Sequence, residues 1–369
     1  MFERKHVAGL AAFTLVALPL ADLSRRAEEG ETRERTITST RTMAVTDSVM
    51  RIDGEEREMG ARGGGSTTRT FSAEMTDVFQ KVADGRATRF TRTFGDIASK
   101  SEREGGAQGG GQGGQGGGGR GRGFGGPRNL VSKLTGEDVI FTLDADSGEY
   151  VAAFPEESSA DKDLLEGLVA DVECAAFLPS SSVEVGAEWD VPLDVFAFVA
   201  MPAGNLHLAP EESGDDGEGR GGNRRGGFRG FGRPDNSDAT MPYEFSGKFK
   251  ATLAEYVEVD GARFARIELA FDVTGERDLA KDAEPVTRET PDGGEITMTT
   301  IELLETHKVE GKGELMWDVG HGRLSSLTLE GDVEESVSSA TEMESDEGTR
   351  SFENETISEG TLAFEYHVK

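Results

Sequence analysis

A chain of 369 residues with 70 acidic and 39 basic side chains has a formal net charge of -31, which keeps it soluble and sets its bulk surface against nucleic acid and anionic lipid. Only 35% of the residues are hydrophobic and 50 are glycine, so the apolar side chains must be gathered into segments around a core. One cysteine, Cys174, rules out an internal disulfide and a cysteine-rich zinc cluster, and reads as a small buried residue on a helix.

The chain opens "MFERKHVAGLAAFTLVALPLADLS", where Arg4 and Lys5 precede an uncharged run from Val7 to Ala21. That run is shorter than the roughly 20 residues a spanning helix needs, and it has the plan of an export signal. Residues 1–21 are therefore read as a signal peptide, cleaved after Ala21 and leaving no stable membrane span. No cysteine lies at the boundary to be acylated. The expected location is outside the cytoplasm, in a periplasm, at a cell surface or beyond it, with one β-rich domain over residues 28–369.

Two stretches, 105–128 and 213–234, are dominated by glycine with interspersed arginine and phenylalanine. Glycine at that density loses too much backbone entropy and buries too little side chain to pack, which predicts flexible loops. Elsewhere the period is two. Phe249, Ala251, Leu253, Val257 and Val259 alternate with polar residues, Asp260-Gly261 turns the chain, and Ile267, Leu269, Phe271 and Val273 alternate again, which predicts a long hairpin with one dry face. Leu362, Phe364, Tyr366 and Val368 predict a final amphipathic strand. One segment departs from this period: Leu164, Leu165, Leu168, Val169, Val172 and Ala176 fall at helical spacing, predicting a helix over about 161–177 that covers the sheet.

The chain also parallels itself. "FSAEMTDVFQKVADGRATRF" from Phe71 resembles "FSGKFKATLAEYVEVDGARFARI" from Phe245, and "GEDVIFTLDADSGEYVAAF" resembles "GKGELMWDVGHGRLSSLTL" at a common spacing of about 175 residues. Asp84-Gly85 answers Asp260-Gly261, and Asp144 answers Asp318. Similar halves over about 30–155 and 183–369 account for the length without two unrelated domains.

Candidate sites are few. Asp144 to Glu149, "DADSGE", has the paired carboxylates of a calcium loop but not its third ligand or terminal glutamate, and reads as a hairpin turn. His207, His307, His321 and His367 lie on separate segments without metal-binding spacing. No nucleophile elbow or phosphate loop is present, so no catalytic residue, metal or cofactor is assigned. An enzyme would need a site folded together from distant groups, for example His321 or His307 with Asp318 and Glu314. Arg220, Arg224, Arg225, Phe228, Arg229 and Phe231 have the chemistry of contacts to single strands or other polyanions. The acidic remainder and the export signal disfavour nucleic acid and leave an envelope polymer as the candidate partner of that stretch. The dry faces at Leu253, Ile267, Leu269 and Phe271 outline a candidate apolar cleft for a hydrophobic small molecule.

Around "FLPSSSVEVGAEWDVPLD" the chain resembles a family of uncharacterised exported bacterial β-rich proteins, on Pro179, Val183, Val185, Gly186 and Trp189. "GELMWDVGHGRLSSLTLEGDV" resembles the later hairpin of that family. The resemblance implies an exported β domain and no activity, with Trp189 as a core anchor. A looser likeness is to the open half-barrels of bacterial lipoprotein carriers. The expectation is a mainly β protein: a curved antiparallel sheet or open half-barrel with one amphipathic helix, exported and non-enzymatic, with a binding or structural role.

Overall fold

The computed structural model describes residues 23, 26–57, 65–104, 128–170, 175–211, 243–281, 283–289, 294–346 and 348–369. The first part of the chain supplies β1 (Thr32–Ile52), β2 (Glu55–Arg57), β3 (Ser66–Ala83), β4 (Arg86–Glu104), β5 (Arg128–Ser132), β6 (Asp138–Leu143) and β7 (Tyr150–Ala153). A connecting region contains 3-10 turns at Lys162–Leu165, Ala175–Phe177 and Leu193–Val195, the strand β8 (Glu188–Asp190), the short helix α1 (Phe196–Ala200) and β9 (Leu208–Pro210). The remainder is β10 (Glu244–Val259), β11 (Ala262–Asp278), β12 (Val286–Glu289), β13 (Glu295–Asp318), β14 (Arg323–Ser345) and β15 (Gly348–Val368).

All fifteen strands join one sheet in the order β7-β6-β4-β3-β1-β15-β14-β13-β11-β10-β8, an open path, with β2, β5, β9 and β12 attached beside it. Every named pairing is antiparallel, as hairpins between consecutive long strands require. Two of these hairpins turn on Asp-Gly pairs in which both residues have positive φ, Asp84 at 50° with Gly85 at 72° and Asp260 at 52° with Gly261 at 82°. This is the two-residue turn whose twist matches that of the flanking strands. The meanders β3-β4-β6-β7 and β10-β11-β13-β14 run in the same sense along the sheet on either side of β1 and β15.

One face, called the inner face, carries the core. A row of directly opposed residues, Leu315, Leu327, Tyr366 and Ile37, crosses four strands with every member at most 1% exposed. The connecting region lies over this face. The Phe196 ring meets Phe245, Phe249 and Phe271 at centroid distances of 6.1, 6.3 and 5.7 Å, while Phe198 meets Phe364 and Tyr366 at 5.7 and 5.4 Å. Edge-on aromatic packing of this kind is worth about 0.5–1.5 kcal/mol per pair beyond area burial.

The helix expected over 161–177 is a correction. Residues 162–165 form a 3-10 turn, Gly167 takes a φ of 75° that breaks any helix, and Leu168 bridges to Gly204. A second 3-10 turn, Ala175–Phe177, buries Phe177 at 0% exposure; residues 171–174, with Cys174 among them, lie outside the described residues. The apolar spacing is used as an irregular cover, and the α-helix lies later, at Phe196–Ala200. The β10–β11 hairpin holds, with one adjustment. A bulge between Leu253 and Glu255 moves Tyr256 opposite buried Ala265 and leaves Val259 49% exposed, so Val257 and Val259 leave the dry face.

Beyond the core the sheet continues as a blade. From Glu295 to Leu304 on β13, Ser336 to Ser345 on β14, Gly348 to Ser358 on β15 and Ala44 to Ile52 on β1, no residue is buried, and these strands pack chiefly against their ladder neighbours. Where blade meets core, the inner face is lined with glycines. Phe245 folds over Gly275 and Phe271 over Gly311, so a ring from the next strand fills the space a Cβ would take.

Candidate functional site

The four cleft candidates are core residues. Leu253 and Ile267 are 0% exposed, Leu269 3% and Phe271 4%, under the cover provided by Phe177 and Phe196. The candidates Arg220, Arg224, Arg225, Phe228, Arg229 and Phe231 lie outside the described residues, as do residues 1–21, where an export signal is expected, and most of residues 105–128. Their anchor points are described, however. Glu104 ends β4, Arg128 pairs with Ser101 in β4, and the Glu211 amide donates to the Asn129 carbonyl at 3.2 Å. Both arginine-glycine stretches thus join the described fold on neighbouring strands, although they are far apart in sequence.

Of the residues of the enzyme alternative, His321 and Asp318 meet, while Glu314 and His307 are engaged elsewhere. His321 is fixed in the β13–β14 turn, where Asp318 accepts from its backbone at 3.0 Å and lies 2.7 Å from its Nδ1. Burial pulls the Asp318 carboxyl up, but these His321 hydrogen bonds outweigh it and hold the group below its ordinary value. Glu314, four residues before Asp318 and on the same side of β13, is instead held by Arg266 at 3.3 Å, and His307 is further along β13 on the other side. Asp144 accepts at 2.9 Å from the amides of both Asp146 and Ser147, so "DADSGE" forms the β6–β7 turn. Trp189 is half-buried and donates to the Phe177 carbonyl at 2.9 Å; the more deeply buried tryptophan is Trp317, at 1% exposure.

Two polar clusters were invisible in the sequence. In the first, Asp77 sits between two arginines, all three side chains 0% exposed. Arg35 Nη2 lies 2.5 Å from Asp77 Oδ2, and Arg92 Nε 2.8 Å from Oδ1. Arg92 also donates to the carbonyls of Ala170 at 2.7 Å and Val169 at 3.3 Å, tying the connecting region to the sheet. The only available signal was phase: Arg33, Arg35 and Ile37 share a side of β1, so the arginines had to point inward with the isoleucine.

The second cluster lies at the boundary of core and blade, on the inner face. Arg41 Nη2 donates to His307 Nδ1 and to Glu335 Oε2, both at 3.1 Å. Arginine has no acceptor, so Nδ1 must be the bare nitrogen and the imidazole proton sits on Nε2, 3.0 Å from the Tyr243 hydroxyl. Tyr243 in turn donates to Glu305 at 3.5 Å, which accepts from Arg277 Nη2 at 2.6 Å. Burial pushes His307 down to about 4, with Arg41 adding to the shift and Glu335 opposing it; burial pushes Tyr243 up to about 12. With both imidazole nitrogens engaged and two arginines balanced by two glutamates, the cluster acts as a latch joining β1, β11, β13, β14 and the root of β10.

Past this latch the two faces of the blade differ. Inner-face rows read Leu303-Ser339-Asn354-Met50-Arg57, Thr300-Thr341-Phe352-Ile52-Glu55 and Val286-Met298-Met343-Arg350, with a single carboxylate, Glu55, at the edge. The opposite face carries Glu302, Glu342, Glu344, Glu353 and Glu355 on the same strands. On that outer face, nearer the core, lies an open furrow of about 940 Å³ lined by Lys248, Lys250, Lys312, Asp272, Glu310 and Glu330 among others. Its charges are of both signs and mark out no ligand class. Among the described residues, no group of three or more His, Cys, Asp or Glu is placed to hold a metal ion, and no helix is long and apolar enough to cross a membrane. No protein-family model matches the chain, and no curated protein matches it.

Proposed function

We propose that this is an exported, non-enzymatic binding protein that holds a hydrophobic ligand on the inner face of its blade. The observation that carries the reading is the asymmetry of the faces. The half of the inner face under the connecting region is filled by the protein itself, whereas Met50, Ile52, Ile296, Met298, Leu303, Met343 and Phe352 continue the face beyond it without burial. A face rich in methionine, isoleucine, phenylalanine and threonine, with Arg57, Glu55 and Arg350 along its border and a row of glutamates on its reverse, suits an apolar partner, because half-exposed apolar area gains from being removed from water. Methionine adapts to chains of varied shape. Export rests on the Arg4-Lys5 and Val7–Ala21 pattern, and the uncharacterised exported family resembled at Pro179 to Trp189 fits the same location.

Native mass spectrometry of the full-length protein from its own envelope tests the reading. A bound hydrophobic mass is expected, lost in a Met298→Asp, Phe352→Asp variant whose thermal midpoint stays near that of the parent. A protein that carries no such mass, or a variant that retains it, would remove the reading. N-terminal sequencing of the same material is expected to begin at Asp22.

A further inference from the structure

We infer that the inner face of the blade is the interface between two copies of this chain, which close over the ligand from opposite sides, an inference that rests on the reading above only for what lies in the seam. A sheet with an apolar face is stable when a second layer buries that face. The connecting region supplies this layer over the core, but from Glu295 to Leu304 on β13, Ser336 to Ser345 on β14, Gly348 to Ser358 on β15 and Ala44 to Ile52 on β1 no residue is buried. The glycine-rich stretches bring little to cover it. Residues 105–127 hold one large apolar side chain, Phe124, and residues 212–242 hold Phe228, Phe231 and Met241.

A ligand lying on an open sheet keeps one side in water, whereas small-molecule sites bury roughly 70–90% of their occupant. A second copy supplies the missing wall in the geometry in which sheets stack, face to face at about 10 Å. Four strands about 4.8 Å apart, each giving about ten residues at a rise of about 3.3 Å, make a face of roughly 600 Å², and β2 and β12 widen it toward the roughly 800 Å² that each partner contributes to a stable pair. Charge decides which face is used. Two chains of net charge -31 repel, and pairing by outer faces would set Glu302, Glu342, Glu344, Glu353 and Glu355 against their own counterparts. The inner face keeps its charges at the border and of both signs: Glu55 with Arg57 at 3.9 Å, and Arg288 and Arg350. Edge-to-edge pairing would rest on the three residues of β2 or the four of β12, too few for a lasting ladder. A face that pairs with itself presents the same residues from both copies, so the assembly stops at two.

Sedimentation velocity of the full-length protein over a dilution series tests the pairing. A dimer with a Kd of about 10 μM or below is expected. It should tighten in added salt, because screening removes the repulsion between acidic bodies while the apolar contact is kept. Met50→Glu, Met343→Glu adds two carboxylates per copy to the seam and is expected to raise the Kd at least about 100-fold. Val49→Glu, Ala340→Glu adds the same charges to the outer face of the same two strands and should leave the Kd within about threefold of the parent. A parent that stays monomeric at about 100 μM overturns the inference and leaves the face to the ligand alone or to another part of the chain. Pairing that loosens in salt, that survives the inner-face variant, or that is lost equally in the outer-face one also overturns it, since the contact would then lie elsewhere. Native mass spectrometry separates the two readings: a dimer without added mass removes the ligand and keeps the pairing, and a monomer with added mass does the reverse.

Discussion

Asp77→Asn probes a carboxylate whose side chain is fully buried. The side chains of Asp77, Arg35 and Arg92 are all 0% exposed, so their charges are compensated by one another and by the backbone, not by water. Asparagine keeps the shape and one acceptor oxygen but removes the negative charge, leaving two guanidinium groups facing each other in the interior. Breaking a buried pair by neutralising one partner costs about 3–5 kcal/mol, because the remaining charge is stranded. Arg92 would also be less firmly aimed at the Val169 and Ala170 carbonyls, so the connecting region should loosen with it. The assay is equilibrium unfolding of the full chain in guanidinium chloride, comparing parent, Asp77→Asn, Arg92→Met and the double variant. If the charge argument is right, Arg92→Met relieves part of the damage done by Asp77→Asn, since only one guanidinium is then left unmatched. An Asp77→Asn loss below about 1 kcal/mol, or single effects that simply add, would refute the reasoning.

Acid should weaken the latch. His307 falls from 6.5 to about 4 on folding, so the unfolded chain takes up the proton first; the contribution is intact above pH 6.5 and is lost as pH falls toward 4, by about 3 kcal/mol at most. A His307→Gln variant should flatten that part of a stability-against-pH curve; an unchanged slope would show that other groups set it. Gly311→Ala would push a Cβ into the Glu330 carbonyl oxygen and the Phe271 ring, and should lower stability by about 1–3 kcal/mol with a matching fall in thermal midpoint. Gly261 has open space around it but a φ of 82°, so Gly261→Ala should cost only about 1–2 kcal/mol, from backbone strain alone, read by the same melt.

Sequence period, turn chemistry and composition were enough for the sheet. Alternation over Phe249 to Leu253 and Leu362 to Tyr366, with Asp-Gly at both hairpin tips, specifies strands and turns locally, because a strand's two faces and a turn's positive φ are properties of a few consecutive residues. The segment after Asp161 was misread for the complementary reason. Leucines at helical spacing need only be buried, and a covering loop that meets the sheet at irregular intervals buries them as well as a helix does. Which rule applies depends on what lies beneath, here Arg92 and the sheet, and on Gly167 turning the chain toward Asn205.

The polar clusters were out of reach for a stronger reason. Arg41 and Glu335 are 294 residues apart, and His307 meets Tyr243 across two strands, so no local window contains them. A charged residue in an alternating strand is read as facing water; that Arg35 and Arg92 face inward follows only once the phase of each strand against its neighbours is fixed. The sequence by itself determined a β-rich chain, its hairpins and the places where glycine interrupts them, since those depend on local backbone preference and period. The tertiary structure alone decided which half of one sheet face is covered, which charges are buried, and that both arginine-glycine stretches join it at neighbouring strands. These depend on register, which couples residues far apart in the chain through a ladder that a shift of one residue would invert.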